Sequence, residues 1–177
     1  MKTEIILSGV GGQGLVSTGE ILGQAASIFE HDLYATMAAA YGSETRGTFT
    51  KSDVIISDQP IGCPNIDKAN IILCLAQVAY DRYVDTLEDD MAVIYDTDSV
   101  VKKEGAKGKH IGYPFRSMAI ELGNIQTANS IALGVMIKQC GVLHADTCKQ
   151  AVAARFAGKD KVIELNDKAI DFGMSLE

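Results

Sequence analysis

The residues best suited to chemistry lie at the N-terminus, in the hexapeptide GVGGQG (Gly9–Gly14), which has the spacing G-x-G-x-x-G. Glycines there let the backbone turn sharply and come close to a ligand with no Cβ in the way. A helix that follows offers unpaired N–H groups and the positive end of its dipole to a phosphate. Gln13, inside the motif, has an amide that both donates and accepts, useful against a ligand or a facing subunit. A second chemical segment is YGSETRG (Tyr41–Gly47). If it runs on into TFTKS as a strand, Glu44 and Arg46 share a face. They either pair with each other or present Arg46 as a planar fork to a carboxylate or phosphate, with Glu44 fixing its direction. A third is ANSIALG (Ala128–Gly134), where Asn129 and Ser130 read first as the N-cap of an apolar helix.

The elements that would position these groups follow from the hydrophobic pattern. EIILS (Glu4–Ser8) reads as a buried strand, and Leu15, Leu22, Ala26 and Phe29 then fall on one helical stripe. Strand, glycine turn and helix thus come in the order of an α/β phosphate-binding unit. Further strands are expected at Leu33–Met37, Thr48–Ser57, Ala69–Ala76, Met91–Asp96 and Ile111–Phe115, with a helix from about Tyr80 to Leu87. VKKEGAKGKH (Val101–His110) reads as a surface turn. The last third is helical: Arg116–Leu122, an apolar helix at Ser130–Cys140, Asp146–Phe156 closed by Gly158, and a stripe of Val162, Leu165, Ala169 and Phe172 stopped by Gly173. The expectation is one α/β domain over 1–177, a three-layer sandwich on a Rossmann-like mixed sheet with a helical C-terminal third.

Composition excludes several functions. A formal charge of −7 argues against nucleic acid as a partner. The N-terminal apolar run is too short for a signal peptide, and no apolar stretch is long enough to span a bilayer, so a cytoplasmic protein is expected. Cys63, Cys74, Cys140 and Cys148 contain no C-x-x-C pair, and His31, His110 and His144 are scattered. No bound metal and no catalytic residues of its own are therefore expected. Asp89–Asp90 and Asp96–Asp98 read as solvated caps. A nicotinamide dinucleotide would need an acid at the end of the second strand. Glu30 and Asp32 stand before that strand, at the wrong edge of the sheet.

GVGGQG at the N-terminus, YGSETRG some thirty residues on, the VIISD strand followed by PI, ANSIALG and the closing ELNDKAIDFG together resemble the gamma subunit of the 2-oxoacid:ferredoxin oxidoreductases. The resemblance spans the chain. It implies a subunit, not catalytic alone, of a complex that converts a 2-oxoacid and coenzyme A to acyl-CoA and CO2 while reducing ferredoxin. The implied oxoacid is 2-oxoglutarate, with pyruvate- and indolepyruvate-type complexes as alternatives. Thiamine diphosphate, Mg and iron–sulfur clusters are implied in the alpha, beta and ferredoxin-like delta partners. Gly9, Gly11, Gly12, Gln13 and Gly14, with Glu44, Arg46 and Asn129, match the family's coenzyme A and interface motifs. Ser43 and Thr48 depart from the usual YGPExRGG pattern. A reading from another class is a free-standing nucleotide-binding sensor.

Overall fold

A computed structural model describes residues 1–41 and 48–177. The expected strand–turn–helix opens the chain as β1 (Lys2–Val10) and α1 (Leu15–Gln24), the helix closing in a π turn over Ala25–Phe29. β2 (Tyr34–Tyr41) and β3 (Phe49–Ser57) form an antiparallel pair. Then come β4 (Ile71–Cys74), α2 (Gln77–Tyr83), β5 (Ala92–Asp96) and β6 (Lys109–Tyr113). Helices α3 (Phe115–Glu121), α4 (Ala128–Cys140), α5 (Ala145–Arg155) and α6 (Asp160–Ser175) complete the fold.

The six strands lie in the order β2-β3-β1-β4-β5-β6. β1, β4, β5 and β6 are parallel, and β3 runs antiparallel to β1. The sheet is therefore mixed, and alternation divides its side chains between two cores. Ile5, Leu7, Val54, Leu73 and Ile94 face α1 and α3–α6, while Ile6, Ile72 and Val93 face α2 and the turn after it. These are the three expected layers, the helical C-terminal third accounting for most of one of them.

Several local expectations change. β2 runs past Met37, its expected end, to Tyr41. The β4 strand is shorter than its apolar run. Lys109 and His110 open β6, and Phe115 already starts α3, because Pro114 has no N–H to continue a ladder. The turn before β6 is stitched down: the Tyr80 hydroxyl accepts from the Lys103 N–H at 3.1 Å and contacts His110 Nε2 at 2.9 Å.

Gly173 does not stop α6; the helix continues to Ser175. Its role is close approach, since a Cβ there would lie 3.1 Å from the Gly134 Cα and 3.0 Å from the Ile131 carbonyl carbon of α4. Asp96 is not a solvated cap either. It is 1 % exposed, accepting from the Asp98 N–H at 3.2 Å and the Ser99 hydroxyl at 3.0 Å. Burial pushes its carboxyl up, and the hydrogen bonds only partly oppose that.

Glu30 holds the start of α5 from outside that helix. Its carboxylate accepts from the His144 N–H at 2.8 Å and from the Thr147 hydroxyl at 2.7 Å. Burial alone would raise its pKa, yet the Thr147 and His144 hydrogen bonds outweigh it and hold the carboxyl below its usual range. A folded-state pKa lowered in this way stabilises the protein above the ordinary carboxylate range, and the contribution is lost as pH falls through the folded value. Glu30→Gln should cost about 1–2 kcal/mol at pH 7, as loss of a helix cap does. Urea unfolding at pH 7 and pH 3 checks this: the difference from wild type shrinks at pH 3.

Candidate functional site

The register brings the glycine motif to the C-terminal end of the parallel strands. β1 ends at Val10, with Leu75 after β4 and Asp96 ending β5 at the same edge, where ligands bind in open α/β sheets. A cleft of about 530 Å³ opens there. Its floor is Gly11, Gly12, Gln13 and Gly14, with Ser17 and Leu75 beside them. Asp96, Arg116, Gln126 and Asn129 also line it.

The loop's shape has identifiable causes. Gly12 and Gly14 take φ of 92° and 74°, the left-handed region that other residues enter at a cost. Gly14 is the N-cap of α1, where no side chain caps the helix and no acid stands in the first turn. The first-turn N–H groups of α1 are the ones an α-helix leaves without intrahelical partners, and they open at the cleft. Gln13 is committed within the chain: its Oε1 accepts from the Val10 N–H at 2.8 Å, and its Nε2 donates to the Leu75 carbonyl at 2.8 Å. Its amide thus clamps the ends of β1 and β4 and sets the loop; Gly9 leaves room for it, since a Cβ there would collide with Gln13 Oε1.

Asn129 departs from the N-cap expectation. The helix cap is Thr127, without a side-chain bond, and Asn129 lies inside the first turn of α4. Its amide covers Gly14, close enough that a Cβ on Gly14 would collide with Nδ2. Ser130 donates to Asn166 Oδ1 of α6 at 2.5 Å. The first and third motifs therefore meet in one site.

The second motif's Glu44 and Arg46 lie outside the described residues. Its flanks do not: Tyr41 pairs with Thr50, and the Gly11 N–H donates to the Thr48 carbonyl at 3.2 Å. Tyr41 and Thr48, on either side of the residues outside the description, thus lie at the glycine-loop edge. Glu30 and Asp32 precede Tyr34, whose partner Ser57 pairs in turn with Lys2 at the start of β1. They occupy the opposite edge and cannot reach a ribose in this cleft.

Arg116 and Asp96 escaped sequence reasoning. Arg116 is exposed on the cleft wall and makes no ion pair among the described residues. It is the second residue of the short helix α3, in a Tyr-Pro-Phe-Arg stretch that carries no binding signature. Among the described residues no cluster of three or more His, Cys, Asp or Glu could hold a metal. Burial pushes the Cys74 and Cys148 thiols up to about 12, which leaves them neutral and poor ligands.

The cleft thus brings together a glycine loop, a helix start without a side-chain cap and Arg116, which has no ion pair among the described residues. Comparison with known proteins agrees on the lineage. The pyruvate ferredoxin/flavodoxin oxidoreductase family matches residues 4–176. The chain belongs to that family. The 2-oxoglutarate synthase subunit KorC of Methanocaldococcus jannaschii is 36 % identical over 86 % of this chain and 82 % of its own. The keto/oxoacid ferredoxin oxidoreductase gamma subunit of Geobacter sulfurreducens superposes with a TM-score of 0.85 at 32 % identity, covering 98 % of this chain and 94 % of that one. The 2-oxoglutarate:ferredoxin oxidoreductase of Magnetococcus marinus, solved with 2-oxoglutarate, coenzyme A and succinyl-CoA, shares the fold with a TM-score of 0.87 at 21 % identity. It covers 98 % of this chain, which spans 30 % of that longer one. This chain thus matches free-standing gamma subunits over most of their length and, in fold, one part of a longer polypeptide. Among the described residues no helix is long and apolar enough to cross a membrane.

Proposed function

We propose that this chain is the gamma subunit of a 2-oxoacid:ferredoxin oxidoreductase, that it holds coenzyme A in the glycine-loop cleft, and that the oxoacid is 2-oxoglutarate. The observation that carries the reading is the uncapped start of α1 opening at a cleft beside Arg116 and Asn129. Oriented N–H groups and an unpaired guanidinium form a pre-organised site for phosphate oxygens. The 2-oxoglutarate preference rests on the resemblance to KorC, and the coenzyme A on the shared fold of a protein solved with it.

On this reading the chain binds and orients. Gly12, Gly14 and the first turn of α1 take the phosphates, Arg116 balances their charge, and Asn129 packs over the loop. Gln13 keeps the floor rigid through β1 and β4, while Gly9 and Gly11 let the loop close against Thr48. Arg46, with Glu44 directing it, adds a second fork from the neighbouring motif. Dispersed thiols, two of them deeply buried, do not fit an iron–sulfur cluster. On this reading, electron transfer and the thiamine diphosphate and Mg chemistry fall to alpha, beta and ferredoxin-like delta partners, with ferredoxin as acceptor, in the cytoplasm, as the family resemblance implies.

The test is an oxygen-free pull-down of the tagged chain, assayed for coenzyme-A-dependent viologen reduction with a panel of 2-oxoacids. Expected are iron-bearing, thiamine-containing partners and fastest turnover with 2-oxoglutarate. A chain recovered alone, inactive but binding a nucleotide, would overturn the subunit reading in favour of a sensor.

A further inference from the structure

The sheet ends at β6, and among the described residues no strand lies beyond it. The Lys109 N–H donates to the Met91 carbonyl at 2.8 Å, and the Tyr113 carbonyl accepts from the Thr97 N–H at 3.0 Å, both toward β5. By the alternation of a parallel ladder, Lys109, Ile111 and Tyr113 turn their backbone groups to β5, while His110 and Gly112 turn theirs outward. All five residues of β6 line a groove of about 400 Å³, with Val135, Lys138 and Gln139 of α4 as its second wall. The rows of the sheet show what is missing there. Leu7, Leu73, Ile94 and Ile111 stand side by side across β1, β4, β5 and β6. The first three are fully buried, whereas Ile111, at the edge, is only half-buried. A further strand would cover it.

Charge narrows what that strand can be. The turn before β6 holds Lys102, Lys103 and Lys107 against one acid, Glu104. Of these lysines only Lys103 has an ion pair among the described residues, with Asp85. In the groove, Lys109 and Lys138 are exposed and spend their ammonium groups on uncharged oxygens: Lys109 donates to Gln139 Oε1 at 2.9 Å, and Lys138 to the Leu176 carbonyl at 2.5 Å. Leu176, in extended backbone, and Glu177 close one end of the groove, an apolar residue followed by an acid. We propose that β6 is the docking edge for an extended acidic segment of a partner subunit, which joins the sheet as a further strand. Its backbone pairs with His110 and Gly112, an apolar side chain covers Ile111, and carboxylates meet Lys109 and Lys138. A second copy of this chain is the poorer occupant, because two β6 edges would bring two basic rims together. The inference rests on the proposed subunit role and is independent of what the glycine-loop cleft binds.

The complex recovered with the tagged chain is compared with the chain alone by hydrogen exchange at single-residue resolution. Expected on assembly is exchange about ten-fold slower or more at His110 and Gly112, with little change at Ile111, whose N–H already faces β5. A carbodiimide, which joins amines to carboxylates in direct contact, should link Lys109 or Lys138 to an Asp or Glu of another subunit. The double variant Lys109→Glu, Lys138→Glu should keep its melting temperature and bind its partners about ten-fold more weakly. Exchange and cross-linking need no variant, so a misfolded double variant does not blunt the test. Partners present while His110 and Gly112 exchange as fast as in the free chain, a link to a second copy of this chain, or undiminished binding by the folded double variant would overturn the inference and leave the subunit reading standing. A chain recovered without partners would remove both.

Discussion

Replacing Gly173 by alanine should lower the melting temperature of this protein by about 10 °C, the equivalent of about 3 kcal/mol or more in a chain of this length. The reason is that the atoms nearest the new methyl group are all backbone. It would collide with the Ile131 carbonyl of α4, 3.0 Å from its carbon and 3.1 Å from the Gly134 Cα. No flexible side chain can swing aside, so the two helices must separate. Their separation would pull Ile131 and Ile170, both fully buried, out of contact with the core. Gly23→Ala is the control. It lies in α1 with open space around it, and its change should be neutral or stabilising by up to about 1 kcal/mol. Thermal unfolding followed by circular dichroism reads both; a Gly173→Ala melting point close to wild type would refute the packing account.

The second large effect is on the ligand. Arg116→Ala should weaken coenzyme A about ten-fold or more, the usual consequence of losing a charge-assisted contact to phosphate. Because Arg116 is exposed and carries no internal ion pair among the described residues, the same change should leave the fold intact. Arg116→Lys should recover only part of the affinity, since an ammonium lacks the planar fork. Equal affinity for all three proteins would take Arg116 out of the site.

Much of the architecture was legible because it is local. The alternation in TFTKSDVIIS, the apolar run ANIILCLA and the stripe Leu15–Leu22–Ala26 each reflect one face against a core, and each appears as an element at nearly the expected place. GVGGQG was legible for the same reason, since strand, turn and helix are neighbours in the chain. What escaped depends on groups distant in sequence. Asn129 meets Gly14 only once α4 crosses the sheet edge, so its neighbourhood read as an ordinary cap. Gly173 carries the same local signature whether a helix ends there or another helix passes close by. Asp96 looked solvated because two acids flank a threonine, yet the sheet buries the first of them. Arg116 sits in no motif at all; α3, tied to the β5 turn by the Ser117 N–H donating to Asp98 at 2.7 Å, carries it to the cleft.

The central claim is that the glycine-loop cleft holds coenzyme A, and amide NMR of the unaltered chain titrated with coenzyme A tests it most directly. The account predicts saturable shifts at Gly12, Gly14 and Leu15–Ser17, with smaller ones at Asn129, and no comparable response to NAD. Shifts confined to other surfaces, or a glycine loop that responds to NAD and not to coenzyme A, would contradict it.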